Sequence, residues 1–294
     1  MFSLLIDTDH RDLGAMVRYD QHAGAHDLLA GVNFGKGSVN GGNYRNLNGR
    51  KNGLSESYES DSDSLEAFLM DRWRASARVT AVFGAQLVSA ARDVLVTNAF
   101  SGAVTNPDTR YTTVNPRAGF IASLNRAGEL YGNVSRLFEA PTTFQLIDQV
   151  RGGNSTLEPM SGTVAEVGWR SQASPSPTVR WSWDFAAYYA RIRNEILSLD
   201  DPAAPGNSLV TNIDKTTHAG FEGVVRGSFA AGAGHRIEPQ VSVTFNRFHF
   251  DDDPTYGANR LPAAPPYAVR GEVIYRQARG FYGGPVFDAA CLAW

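Results

Sequence analysis

Residues 163–190 read TVAEVGWRSQASPSPTVRWSWDFAAYYA, and the alternation in this stretch decides the fold. Every second residue from Val179 is apolar or aromatic: Val179, Trp181, Trp183, Phe185, Ala187 and Tyr189. The intervening set, Arg180, Ser182, Asp184, Ala186, Tyr188 and Ala190, is polar or small. Side chains alternate faces along a strand, so one face is greasy and the other tolerates charge. The preceding segment repeats the rule, with Ala165, Val167 and Trp169 alternating with Glu166, Gly168 and Arg170. SQASPSPT between them is built of residues that stop strands. A long two-faced hairpin must set its greasy face against something, and lipid is the expected partner.

The pattern extends outward along the chain. Ala15, Val17 and Tyr19; Leu28, Ala30, Val32 and Phe34; Val79, Ala81, Phe83, Ala85 and Leu87; Ile237, Val241, Val243 and Phe245; and Val269, Val273 and Tyr275 each form one side of an alternating segment. There are about a dozen such segments of roughly ten residues, the length that crosses a bilayer when tilted. No segment shows sustained helical periodicity. Short connections near 20–26, 74–78, 125–129, 171–178, 231–235 and 277–280 take turns with long polar ones near 38–63, 95–113, 139–161, 197–216 and 251–266. Antiparallel strands threading a membrane sort their loops in this way. Glu166, Arg170, Arg180, Asp184, Glu222, Arg226, Arg270, Glu272 and Arg276 all fall on the non-greasy side, where a charge meets water. An Arg or Lys facing lipid at the midplane would cost about 2–4 kcal/mol.

Composition agrees. Of 294 residues 43% are hydrophobic and 19% charged, with a net charge of -3. The basic residues are scattered, which excludes an electrostatic nucleic-acid binder. The single cysteine, Cys291, allows no internal disulfide. No apolar run of about 18 residues implies a membrane helix, and barrels show none. The start, MFSLLIDTDHRD, lacks the basic region of a secretory signal, so the true N-terminus of an exported protein is expected upstream.

The middle of the chain resembles the C-terminal barrel of TonB-dependent outer-membrane receptors. The motifs, in order, are Asn115 and Pro116; Ser135, Arg136, Phe138, Ala140, Pro141 and Thr142; Leu157 and Pro159; Glu166 and Gly168; Asn194, Glu195 and Ile196; and Thr216, Gly220 and Glu222. Met160 stands where the pattern has Glu, and Ala219 where Gln or Lys is common. The likeness is concentrated in residues 114–225, with a further match in the tail, and is faint before residue 75. Structural roles are expected for these positions. Pro116 and Pro141 are placed at strand ends. Gly168 and Gly220 are expected to ease coiling of the sheet or approach to a plug. Arg136 and Glu166 are expected on lumen faces of neighbouring strands, placed to pair.

The resemblance implies an all-β, antiparallel transmembrane barrel, here partial, with about 12 strands of a 22-stranded whole. Residues 1–294 are expected to form barrel only, with an N-terminal plug, a TonB box and the final strands lying outside the sequence. It implies uptake of a scarce solute across a bacterial outer membrane, most often a ferric siderophore, driven by the TonB complex acting through the N-terminal region. An isolated piece would be inactive, since unpaired edges are left in lipid. No enzyme activity, cofactor or metal site is implied. The expected partners are outer-membrane lipid, TonB and an iron chelate.

Loop residues able to touch an anionic chelate are Tyr44, Tyr58, Arg110, Tyr111, Arg151 and Tyr256, by cation and aromatic contacts. His22 and His26 lack the Glu of a zinc helix, and FGKGSVNGG fails the phosphate-loop spacing. Asp251 to Asp253, or Asp200 and Asp201, could hold a hard cation, but a solvated outer loop is the favoured reading. Two rival architectures remain. One is a complete small barrel of about twelve strands, such as an export domain. The other is a soluble sandwich, in which Trp181, Trp183 and Phe185 would be buried between two layers.

Overall fold

A computed structural model describes residues 4–124, 128–152, 157–171, 176, 178–200, 208–232, 234–262 and 264–291. The strands are β1 (Leu4–Ala23), β2 (His26–Leu47), β3 (Arg50–Arg74), β4 (Val79–Asn98), β5 (Val104–Thr105), β6 (Asp108–Ser123) and β7 (Glu129–Glu139), followed by the helix α1 (Thr143–Gly152). Then come β8 (Met160–Ser171), β9 (Val179–Asp200), β10 (Ser208–Ala230), β11 (His235–Phe250), β12 (Tyr267–Gln277), β13 (Tyr282–Gly283) and β14 (Val286–Ala290). They make one antiparallel sheet in chain order, β1-β2-β3-β4-β6-β7-β8-β9-β10-β11-β12-β13, with β5 on β4 and β14 on β12. Strands β13 and β14 lie along different parts of β12, so they form one interrupted strand. The sheet is a single curved wall with β1 at one edge and β13 and β14 at the other.

The alternation sets the two faces. Register aligns Ala81, Phe120, Gly132, Val167, Ala187, Phe221, Phe245 and Tyr267 in one row across the wall. On this convex face Trp181 is 41% exposed, Phe83 51% and Val167 50%. Among the described residues no second layer covers it, contrary to what a sandwich requires. Its aromatics pack on each other instead: Trp169 on Trp183 at 5.1 Å, Trp181 on Phe229 at 5.0 Å and Phe185 on Phe221 at 6.0 Å. From Val179 to Tyr189 the outward residues span ten steps of strand, about 33 Å. Tilted by about 40°, that covers the ~25 Å apolar band of an outer-membrane barrel.

The ends of β1, β3, β6, β8, β10 and β12 lie at one end of the sheet, and each is followed within eight residues by the start of the next strand. The other end differs from the expectation. Residues 38–63 are not a loop: β2 and β3 run on for 22 and 25 residues and meet in a tight turn at Asn48 and Gly49, both at positive φ. An Asn-Gly pair is the favoured hairpin turn. Serines and carboxylates from Glu56 to Ser64 hide the strand in the sequence, although its inward Tyr58 and Ser60 are buried.

One short helix joins the strands. In α1, Thr142 accepts the amide of Gln145 at 3.2 Å and Gln145 Oε1 accepts the amide of Thr142 at 2.8 Å. This is a reciprocal capping box. The helix packs on the concave side, where Leu146, Ile147 and Leu157 meet Tyr58, Val94, Val96 and Val210. A second apolar cluster joins Leu199, Ile213, Phe250 and Leu261. These two clusters hold the long-loop end together. Thr142→Ala is expected to weaken α1 by about 1 kcal/mol. Amides of the helix would then exchange faster in hydrogen-exchange mass spectrometry while those of β9 stay unchanged, and unchanged exchange in α1 would contradict the cap.

Candidate functional site

The concave face is polar, and its charges are matched across strands. Glu66 accepts from Gln86 at 3.0 Å and Asn33 at 3.4 Å. Arg170 donates to Glu129 at 3.0 Å, Arg276 to Glu238 at 2.9 Å and Arg226 to Gln240 at 2.7 Å. Such a wall suits a water-filled or plugged lumen.

The two motif glycines share one device. Tyr131 of β7 lays its ring over Gly168 of β8 and donates to Asp184 Oδ1 of β9 at 3.0 Å. Tyr188 of β9 crosses Gly220 of β10 and donates to Asn246 Oδ1 of β11 at 2.8 Å. Each tyrosine therefore ties its own strand to the second one along, and each glycine leaves room for the ring. The aromatic covers backbone that glycine alone would leave bare. The place foreseen for a plug contact is filled by a ring of the wall itself. Glu166 and Glu222 flank these glycines on the same concave face.

Closer to the loops the other motifs converge. Asn194 has φ +54, which breaks the alternation, so Ile192 and Glu195 are both buried. Glu195 accepts the hydroxyl proton of Thr216, and its Oε2 lies 3.0 Å from His218 Nε2. His218 in turn stacks on Phe248 at 4.2 Å. Asn212 binds both backbone groups of Glu158, accepting from its N–H at 2.8 Å and donating to its carbonyl at 2.9 Å. It also donates to the Asn194 carbonyl at 2.8 Å. The Leu157–Pro159 stretch is thus pinned to the bulge in β9. Pro141 is fully buried, and Arg92 donates to its carbonyl at 3.1 Å. Pro141 lies two residues past the end of β7.

Pro116 lies inside β6, opposite Ala85. The ladder to β7 runs only from Arg117 with Ser135 to Ser123 with Glu129, so Pro116 stands where that ladder stops. Asn115 is opposite Gln86. Arg136 requires a correction. It is opposite Thr163, while Glu166 is opposite Asn133. Arg136 therefore shares the outward parity of Val134, and it cannot pair with Glu166. Phe138, opposite Ser161, follows it on the outward side.

The five described loop residues do not form one cluster. Tyr58 is buried beneath α1, and Tyr111 donates to the Leu157 carbonyl at 3.0 Å. Both therefore bear on the same loop. Tyr256 stacks on Phe250 at 4.8 Å. Tyr44 carries Lys51 over its ring at 4.5 Å, and a hydrogen bond from Lys51 to Asp7 raises that ammonium's pKa. Arg110 is exposed near the loop end of β6. Arg151 belongs to α1, but its side chain lies outside the described residues, as does Asp201. His22 and His26 each sit 2.7 Å from a carboxylate, Asp27 and Asp71. Asp253 accepts the amides of Thr255 and Tyr256 at 2.8 and 2.9 Å. Among the described residues no three metal-ligating side chains gather. Reasoning on sequence missed the roles of Tyr131, Asn212, His218 and Arg92. A large aromatic on the polar face, one strand from a glycine, was the available signal for Tyr131.

The profile of the family described as TonB dependent receptor-like, beta-barrel, matches residues 2–290. The chain belongs to this TonB-dependent receptor family. It is a family of outer-membrane receptors and transporters rather than enzymes. No curated protein sequence matches. Among solved structures, the wall resembles the copper transporter OprC (TM-score 0.76, 14% identity, 98% of this chain and 44% of that one). It also resembles the ferric citrate transporter FecA (0.70, 19%, 92% and 40%) and the ferric yersiniabactin uptake receptor FyuA from Yersinia pestis (0.68, 14%, 93% and 41%). At such identities the likeness is one of fold. The chain spans about two fifths of the length of these TonB-dependent receptors.

Proposed function

We propose that this wall is part of an outer-membrane receptor that imports a scarce solute, a ferric siderophore, using energy delivered by TonB. One observation carries the reading: a family-matched antiparallel wall is apolar on its convex face and hydrogen-bonded and charged on its concave face. That arrangement separates lipid from a polar lumen. In this account the plug and the remaining strands come from the rest of the receptor, and the wall's concave side meets the plug. Tyr44 and Arg151 are the loop-end candidates for meeting the solute, while Arg110 shares the outward parity of Val114. Tyr58, Tyr111 and Tyr256 act by fixing the loops around them.

The test is uptake by cells. Disrupting the gene that encodes this wall is expected to abolish accumulation of one radiolabelled ferric chelate, to the level of the same cells lacking TonB. Ferric citrate, hydroxamate and catecholate chelates and copper(II) would be offered in parallel. If copper uptake alone fell, the siderophore assignment would be wrong and the transport reading would stand. Unchanged uptake of every solute would overturn both.

A further inference from the structure

At the end of the sheet where the short connections fall, the concave face of β9 to β12 gathers Arg180, Arg226, Arg236 and Arg276. Arg180 on β9 is opposite Ser228 on β10. Arg226 on β10 is opposite Ser182 of β9 and Gln240 of β11. Arg236 on β11 is opposite Ala230 of β10 and Arg276 of β12. All four share the inward parity of Glu222 and Thr244. From β9 to β12 they span three strand spacings, about 15 Å. Arg180, Arg226 and Arg276 are exposed on this face.

Hydrogen bonds reach these arginines, but carboxylates are few. Glu238 accepts from Arg276 Nε at 2.9 Å. The carboxylates of Asp184 and Glu272 are engaged elsewhere, with the Tyr131 hydroxyl at 3.0 Å and with Arg270 at 4.0 Å. Among the described residues no carboxylate forms a salt bridge with Arg180, Arg226 or Arg236. Arg226 and Arg236 donate to neutral oxygens, Gln240 Oε1 at 2.7 Å and Ser228 Oγ at 2.8 Å. Nη2 of Arg236 is shut off from solvent, without a hydrogen-bond partner among the described residues. Arg170 on the adjoining β8 differs, because Glu129 matches it at 3.0 Å. Like charges directly opposite in a sheet are destabilising, so the Arg236–Arg276 pair carries a cost that a bound anion would remove.

We propose that Arg180, Arg226, Arg236 and Arg276 form a binding site for a multiply charged anion at the periplasmic mouth of the lumen, the last station of an anionic ferric chelate on its way out. Short connections face the periplasm in outer-membrane barrels, which puts the cluster at the exit. Guanidinium suits carboxylate oxygens because its donors engage two at once. Exposed charges in water attract one another weakly, so a polyanion shared among several arginines is gathered and still released. The station role rests on the transport reading above, whereas the binding of an anion does not.

The test uses the receptor purified in detergent from the outer membrane of cells that make it. p-Hydroxyphenylglyoxal would modify accessible arginines, and peptide mass spectrometry would read the rate at each one. The probes are ferric citrate, a neutral ferric trihydroxamate and inorganic phosphate, at equal concentration. Saturating ferric citrate is expected to slow modification of Arg180, Arg226 and Arg276 by about fivefold or more, and the neutral chelate to leave it unchanged. Arg180→Gln combined with Arg226→Gln should abolish protection at Arg276, and Arg180→Lys with Arg226→Lys should keep most of it. Heat-dependent gel mobility would check that the variants fold. Equal protection by the two chelates, or none by ferric citrate, would overturn the site. So would equal protection by inorganic phosphate, which would mark an adventitious anion only. Arginines inert before any anion is added would also overturn it, because the plug would then cover them. Import of a ferric chelate through a receptor whose arginines are never protected would leave the transport reading standing without this site. Protection in a receptor that imports nothing would sink the transport reading and the station role, and keep the anion site.

Discussion

Gly168→Ala is expected to destabilise the assembled wall by about 3 kcal/mol, from overpacking plus loss of a half-buried hydrogen bond. A Cβ at Gly168 would lie 2.2 Å from Tyr131 Cζ and 2.4 Å from its hydroxyl oxygen. The ring cannot lift without leaving Asp184, its partner two strands away. A double-mutant cycle separates this cause from a general intolerance of β8. Tyr131→Ala removes the ring, so Gly168→Ala added to it should cost nothing further. Gly220→Ala would behave differently. Its Cβ would meet the Tyr188 hydroxyl at 2.4 Å but also the Phe245 carbonyl at 2.7 Å. Backbone cannot swing aside, so Tyr188→Ala should rescue it only in part. Thermal midpoints read from heat-dependent gel mobility would decide. Additive losses at Gly168 and Tyr131 would remove the bridge from the account.

Val243→Arg is expected to cost about 2–4 kcal/mol, whereas Thr244→Arg stays within about 0.5 kcal/mol. The two residues are neighbours on β11 and differ only in face. Val243 is in register with Val269 on one side and Gly223 on the other. It belongs to the outward row of Phe185, at mid-height of the apolar band. Thr244 is opposite Glu222 on the concave face, where an arginine gains a carboxylate and water. Urea titrations of the reconstituted protein would compare the two. Equal costs would mean that the faces are not divided between lipid and lumen.

Much of this wall could be read from residues alone. The two-faced character of β8 and β9 followed from the Trp-rich alternation, and the short turns from clusters of Gly, Pro and Ser. Legibility ended where water replaces lipid. Glu56 to Ser64 in β3 carry no hydrophobic period, because the inward face is covered by α1 through Tyr58 alone among large side chains while the other face is carboxylate, so a continuing hairpin reads as a loop. The helix α1 is too short for periodicity to announce it, and only the Thr142–Gln145 cap marked its start. Arg136 was placed inward from motif context, whereas simple counting from Val134 puts it outward. Asn194 shows the opposite failure. Its positive φ reverses the alternation, so counting through it would misplace Glu195. The motifs themselves were recognisable, but their physical meaning was not. The tyrosine bridges and the Asn212 clamp link residues 53 to 58 and 54 positions apart, and only the register reveals them.

The most direct test of the two-faced wall is an accessibility scan along β9 and β10. Single cysteines would be introduced from position 181 to 189 and from 219 to 227, in protein whose native cysteines, Cys291 included, are replaced. After reconstitution in lipid, spin labels at Trp183, Phe185, Ala187, Phe221 and Val225 should respond to oxygen dissolved in the bilayer. Labels at Ser182, Asp184, Ala186 and Glu222 should respond instead to a water-soluble relaxing agent. A strict period of two with that phase is the predicted result. The opposite phase, or no period at all, would contradict the assignment of the convex face to lipid and with it the receptor wall.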